Sequence, residues 1–143
     1  MRLAKTLSLF CAAILMTGCG SGNKEEKLVS DFLNKNLKEN NISQVTFSEV
    51  DSTSHVSDSV IGIMRNDAER SGLFRSGLKY AERTKGQKLH FISVSYTASN
   101  GKRMRHTFYL DKKADNVICI KNDDVVTMNT ENKSLVSNKN WTR

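Results

Sequence analysis

The chain has 143 residues, with 22 lysines and arginines against 15 acidic residues and a formal net charge of +7. That length predicts one small domain. The basic residues are spread along the chain, so nucleic acid, which needs a basic patch or stripe, is not an expected partner. A solvated surface is the favoured interpretation of the charge, and contact with an anionic envelope polymer is the alternative.

The first 18 residues have the three zones of an export signal. Arg2 and Lys5 place positive charge at the start, residues 7–16 form an apolar run, and small residues precede Cys19. This order is typical of a secretory signal peptide. The apolar run is shorter than the roughly 20 residues that a transmembrane helix needs, so we expect residues 1–18 to be cleaved.

Residues 15–19 read Leu-Met-Thr-Gly-Cys and resemble the lipobox of bacterial lipoproteins, with Met16 where Leu is more usual. The resemblance implies cleavage before Cys19, a diacylglyceryl thioether on its sulfur and acylation, such as palmitate, on the new amino group. Two or more acyl chains anchor a protein stably. Gly20, in place of the Asp that retains lipoproteins at the inner membrane, favours the outer membrane. An ordinary signal followed by a free Cys is the alternative.

Loss of the leader takes Cys11, Arg2 and Lys5 away and leaves a net charge of +5. Lipid on Cys19 would then leave Cys119 as the one free thiol, so no internal disulfide and no paired-cysteine zinc motif is expected. Cys119 lies in an apolar run, which predicts a buried small hydrophobe. A reactive thiol is the alternative.

After a tether at residues 19–23, apolar residues recur at helical spacing from Lys24 to Asn40 and predict an amphipathic helix. Val45–Val50 is predicted as a strand. A second helix is predicted over Ser57–Arg70, because Ser57 or Asp58 can cap its free amides. A further strand is predicted near Leu78–Ala81.

Leu89–Ala98 and Arg103–Leu110 alternate in polarity and predict a hairpin. A two-residue turn would mix the apolar and charged faces. A three-residue loop, with Gly101 left-handed after a type I turn, pairs Ala98 with Lys102 and gives one apolar face. We therefore predict the second register. It places Tyr96 opposite Met104, Val94 opposite His106, and Ile92 opposite Phe108.

Val117–Ile120 is predicted as a further strand, and residues 122–143 as a polar tail. One domain over residues 24–121 follows, of the α+β class, with its helices on one face of an antiparallel, meander-like sheet. This order resembles the cystatin-like and NTF2-like groups. The span from Phe47 to Asp111 also resembles small Gram-negative envelope lipoproteins of uncharacterised function, a likeness that implies no activity.

The apolar sheet face, if the helices covered it in part, would form a ligand pocket. Its predicted lining is Tyr96, Met104, His106 and Phe108. The leading hypothesis is a non-enzymatic module that binds an envelope protein or a small ligand. The alternatives are a small enzyme with His106 as acid or base, and an accessory subunit of an envelope assembly that uses the face of Arg103 and Arg105.

No catalytic residue is assigned, and no cofactor or metal is expected. His90 lies opposite Leu110 in the predicted register, too far along the strand from His106 for a shared metal. Ser52 and Ser59 lie in Asp-Ser-Thr and Asp-Ser-Val sequences, a pattern that some Gram-negative bacteria O-glycosylate. Asp58 and Ser59 equally fit a helix start.

Overall fold

The computed structural model describes residues 23–123, which form two helices and five strands. The predicted α+β class with an antiparallel sheet is confirmed. The spatial order of the sheet is β1-β3-β4-β5, with β2 beside the first half of β3. The elements are α1 (Asn23–Asn36), β1 (Ser43–Phe47), β2 (Asp51–Thr53), α2 (Asp58–Arg70), β3 (Leu89–Thr97), β4 (Arg103–Leu110) and β5 (Val117–Asn122).

The hairpin formed by β3 and β4 has the predicted register. Tyr96 pairs with Met104 and His90 with Leu110. The Ala98 amide donates to the Lys102 carbonyl at 2.9 Å, and Gly101 closes the three-residue loop with φ +82°. Glycine is favoured at this position because a positive φ brings the Cβ of any other residue too close to its own backbone.

One side of the sheet, which we call the α1 face, packs under helix α1. Val29 and Leu33 of α1 are buried against Ile92 and Phe108 of the sheet. Phe32 adds an edge-on contact to Phe108, with ring centroids 5.5 Å apart. The apolar stripe predicted for the first helix therefore covers this face.

Helix α2 packs against the edge strand β5. Its Ile61 and Met64 join a second buried cluster that contains Tyr109 and Cys119 on the side of the sheet opposite the α1 face. The prediction that the helices share one face of the sheet is therefore wrong, because the second face also carries apolar side chains at this end and α2 buries them. The predicted cap is confirmed, since the Ser57 side chain accepts from the Val60 amide. Among residues 23–123, neither helix is long and apolar enough to cross a bilayer.

Arg65 of α2 satisfies backbone carbonyls at the exposed edge of the sheet. Its Nε donates to the Ile118 carbonyl and its Nη2 to the Ala81 carbonyl, each at 2.8 Å. The Ala81 amide in turn donates to the Val117 carbonyl. These contacts cover the start of β5, which reduces the part of this edge that could pair with another chain.

The predicted strand at Leu78–Ala81 is wrong. The chain there has no ladder, because its Ala81 carbonyl is taken by the Arg65 guanidinium and a single backbone bond joins it to β5. Leu78 instead enters the core, and Tyr80 stacks on Phe32 at 6.3 Å. The apolar side chains of this segment therefore pack in the core, and its backbone does not join the sheet.

Two predicted boundaries also move. Helix α1 ends at Asn36 rather than Asn40, because Leu37 pairs with Phe74 and the Lys38 amide donates to the Leu73 carbonyl. The predicted strand Val45–Val50 overlaps β1 over residues 45–47 only, and β2 begins after its predicted end. The break falls at Ser48, whose hydroxyl takes the place of a backbone acceptor for the Ser93 amide at 2.9 Å.

Candidate functional site

The four residues predicted to line a pocket do lie together on the α1 face, but all of them are buried. Tyr96, Met104, His106 and Phe108 are at most 5 % exposed. Helix α1 and Phe74 pack over them, and Phe74 lies 5.4 Å from the His106 ring centroid. The side chains that would line a pocket therefore fill the interior.

His106 is the centre of a hydrogen-bonded row that crosses three strands on this face. Its Nδ1 is 2.8 Å from the Asn122 side-chain oxygen, and its Nε2 is 2.8 Å from the Tyr96 hydroxyl. An amide oxygen only accepts, so Nδ1 carries hydrogen. In the neutral ring, Nε2 then accepts from Tyr96. We call Tyr96, His106 and Asn122 the buried row.

A second row crosses the same strands on the opposite side of the sheet. The Thr107 hydroxyl donates to the Asp123 carboxylate at 2.7 Å, so the Ser93 hydroxyl 2.8 Å away donates to Thr107. Asp123 also lies 3.5 Å from the Lys121 ammonium and 3.8 Å from Arg105. We call Ser93, Thr107 and Asp123 the outer row.

Around the outer row the sheet presents hydroxyls and two exposed arginines. We call this surface the polar patch, and its residues are Ser93, Ser95, Thr97, Arg103, Arg105 and Thr107. Arg103 is fixed there by three neighbours. Its guanidinium donates to the Gln44 carbonyl at 2.8 Å, the Thr46 hydroxyl at 3.1 Å and the Thr97 hydroxyl at 3.2 Å.

The four predicted lining residues contribute to neither of two pockets on the described surface. One, of about 310 Å³, lies between α1 and the segment around Gly77. The other, of about 330 Å³, lies at the start of α2 beside Arg83. Arg83 donates to the Val56 carbonyl and lies 3.8 Å from the Asp58 carboxylate. Asp58 therefore already neutralises the Arg83 guanidinium, which would otherwise attract an anionic ligand to this pocket.

Cys119 is fully buried and unpaired among the described residues, as predicted for a small hydrophobe. Burial raises the pKa of its thiol to about 12. The thiolate is the nucleophilic form, so the fold suppresses thiol reactivity at neutral pH. Burial likewise raises the pKa of the neighbouring Tyr109 hydroxyl to about 12.

The remaining predicted positions are separate from these rows. His90 lies near the other end of β3, with Nδ1 3.6 Å from a Glu25 carboxylate oxygen. Ser52 is half-buried in β2, and Ser59 is exposed in the first turn of α2. Cys19 lies outside the described residues. Within residues 23–123, no group of three His, Cys, Asp or Glu side chains is placed to hold a metal ion.

Sequence reasoning missed the residues that complete both rows. Asn122 and Asp123 follow an apolar run and were assigned to the polar tail. Extending β5 by two residues in the confirmed register would have placed Asn122 opposite His106. Comparison of the chain with family models, curated proteins and solved structures gives no match.

Proposed function

We propose that this chain is a bacterial envelope lipoprotein, anchored in the outer membrane through Cys19, whose domain is a non-enzymatic binding module. The observation that carries the proposal is the order of segments along the start of the chain. A charged start, an apolar run and a Leu-Met-Thr-Gly-Cys sequence are followed, four residues after the Cys, by helix α1. The folded part thus begins almost at the anchor.

The polar patch supports binding by surface contact rather than in a pocket. The α1 face is filled, whereas Arg103 stands exposed and is held by three hydrogen bonds. A side chain already held in one geometry loses less conformational entropy on association. Arginine is also suited to carboxylate and phosphate partners because of its forked donors. We therefore assign a protein or ligand with anionic groups to this surface.

The geometry around His106 favours a structural role over an acid-base role. A general acid or base must come within hydrogen-bond reach of its substrate. The His106 ring is fully buried, and its two nitrogens contact Tyr96 and Asn122. Its substrate would have to displace helix α1 or Phe74 to arrive.

Lipidation is tested by expressing the full chain in a Gram-negative host and measuring the mass of the mature protein. We expect loss of residues 1–18, a diacylglyceryl group and a further acyl chain on Cys19. Cys19→Ala should retain the leader and lack the lipid. A mature wild-type chain with a bare Cys19 would contradict the proposal.

The binding surface is tested by crosslinking in the same cells. We expect Arg103→Glu to reduce the yield of crosslinked partner at least tenfold, because it places a carboxylate opposite anionic groups. Arg75→Glu is the matched control, since Arg75 is also exposed but follows Phe74 on the α1 side of the sheet. Equal losses in both variants would remove the polar patch as the contact surface.

A further inference from the structure

One end of the sheet is fixed to the start of helix α1. The Lys24 ammonium donates to the Lys113 carbonyl at 2.6 Å and pairs with Asp115 at 2.7 Å, which holds the first turn of α1 on the turn between β4 and β5. His90 pairs with Leu110, so β3 begins where β4 ends. We call this the tether end, because the chain from Cys19 enters the domain here.

Four exposed lysines lie at the tether end. Two are in the turn between β4 and β5, and two lie directly before β3, where the Gln87 amide closes a turn onto the Thr84 carbonyl. Within residues 23–123, none of their ammonium groups has a carboxylate within 4 Å. The four are Lys85, Lys88, Lys112 and Lys113.

The acids near these lysines are mostly engaged elsewhere. Asp115 pairs with Lys24, and Glu25 faces His90. Asp111 accepts from the Asp115 amide at 2.8 Å and from the Asn116 side chain at 2.8 Å. Arg83 offsets Asp58 at 3.8 Å. Glu26, which is half-buried, is the remaining acid in the first turn of α1. Asp111 keeps its charge, because the Asp115 amide and the Asn116 side chain are both neutral. Asp111, Glu25 and Glu26 are half-buried, however, whereas all four lysines are exposed, so the outermost charges at this end are positive.

The length of chain before α1 limits how far this end can lie from a membrane. Asn23 is four residue steps from Cys19, and a fully extended chain spans at most about 3.6 Å per step, or roughly 14 Å. The field of an anionic bilayer decays over about 8 Å at physiological salt. Within that range, each lysine strengthens membrane attraction by about fivefold.

We propose that the tether end is a membrane-contact surface, on which Lys85, Lys88, Lys112 and Lys113 rest on anionic phospholipid headgroups. The inference rests on the proposed lipidation of Cys19. It orients the domain, because β4 runs from Arg103 to Leu110 and rises about 3.3 Å per residue. The end that carries Arg103 is then held about 23 Å further from the bilayer, where it can meet partners.

The test uses the lipidated full-chain product, purified from membranes and reconstituted in vesicles of phosphatidylethanolamine and phosphatidylglycerol. Each lysine is acetylated for a short time and quantified by peptide mass spectrometry. We expect acetylation of the four lysines to slow by about fivefold relative to detergent. Lys35 and Lys38, exposed at and just beyond the far end of α1, should change less than twofold, and phosphatidylcholine vesicles should reduce the protection.

A charge variant tests whether the lysines are protected because they attract anionic lipid or only because the lipid anchor holds them near the bilayer. Substituting all four lysines by Gln should speed hydrogen exchange of the turn at residues 111–116 in anionic vesicles. The matched control replaces lysines 27, 35, 38 and 79 by Gln, removes the same charge, and should keep the slow exchange.

The mass of the Cys19 peptide is read in the same sample, so that two failures are distinguishable. Lipidated Cys19 with unprotected lysines would overturn the membrane-contact surface and leave the proposed function standing. A bare Cys19 would overturn both. Equal protection in phosphatidylcholine, with exchange unchanged in the four-lysine variant, would also reject the role of charge.

Discussion

Two rows of polar side chains cross strands β3, β4 and β5, one on each side of the sheet, and they differ in burial and charge. The buried row joins Tyr96, His106 and Asn122 beneath helix α1, and His106 is fully buried. The outer row joins Ser93, Thr107 and Asp123, ends in a carboxylate and has two basic neighbours. The rows end on consecutive residues, Asn122 at the end of β5 and Asp123 directly after it.

The difference suggests that the two sides of the same strands serve different purposes: one side stabilises the fold, and the other supports a surface for contact with partners. A buried polar group must keep its partners, because water cannot replace a lost hydrogen bond there. The Asp123 carboxylate, which ends the outer row, is 17 % exposed and can exchange a lost partner for water at small cost. We therefore expect the buried row to contribute mainly to stability, while the outer row supports the exposed polar patch.

The largest expected effect comes from removing the centre of the buried row. His106→Ala should lower the free energy of unfolding by about 3–5 kcal/mol, because it leaves a cavity beside Phe74 and removes partners from Tyr96 and Asn122. Urea denaturation followed by circular dichroism measures the change.

His90→Ala is the matched control, since it makes the same substitution on the same face at a partly exposed position. His90 is 29 % exposed, and its Nδ1 makes no hydrogen bond within the described residues. Its cost should stay below about 1 kcal/mol. Equal costs for the two histidines would show that burial of the row is not what stabilises the fold.

A smaller effect is expected from removing one hydroxyl of the buried row. Tyr96→Phe should cost about 1–3 kcal/mol, because His106 Nε2 loses its donor in the interior. Tyr80→Phe is the control, since the Tyr80 hydroxyl is buried without a partner in the described part of the chain. That substitution should leave stability within about 0.5 kcal/mol or raise it. The reverse order in urea melts would contradict the role of the row.

Sequence reasoning predicted the register of the two strands that carry most of both rows, but not the hydrogen bonds that form the rows. Alternation along Leu89–Ala98 and Arg103–Leu110 determined the register, because a slip of one residue would bury Arg103 and expose Phe108. The pattern could not show that α1 and Phe74 fill the α1 face, since such packing joins segments distant in sequence. It also could not show that Asn122 is held by His106, because polar residues after a strand look alike whether solvated or bonded.

The smallest expected effect lies in the outer row. Thr107→Val keeps the shape and the β-branched side chain that suits a strand. It removes the hydroxyl that bridges Ser93 and Asp123. Ser93 and Thr107 are nearly buried, at 9 % and 8 % exposed, but the Asp123 carboxylate is 17 % exposed and keeps Lys121 beside it, so we expect a cost of about 0.5–1.5 kcal/mol.

A double-mutant cycle with Ser93→Ala sharpens this result. If the outer row acts as a unit, the two substitutions together should cost less than their sum, by about 0.5 kcal/mol or more. Strict additivity in urea melts would mean that Ser93 and Thr107 contribute separately. A Thr107→Val cost as large as that of His106→Ala would remove the distinction between the two rows, since stability would then depend on both sides of the sheet equally.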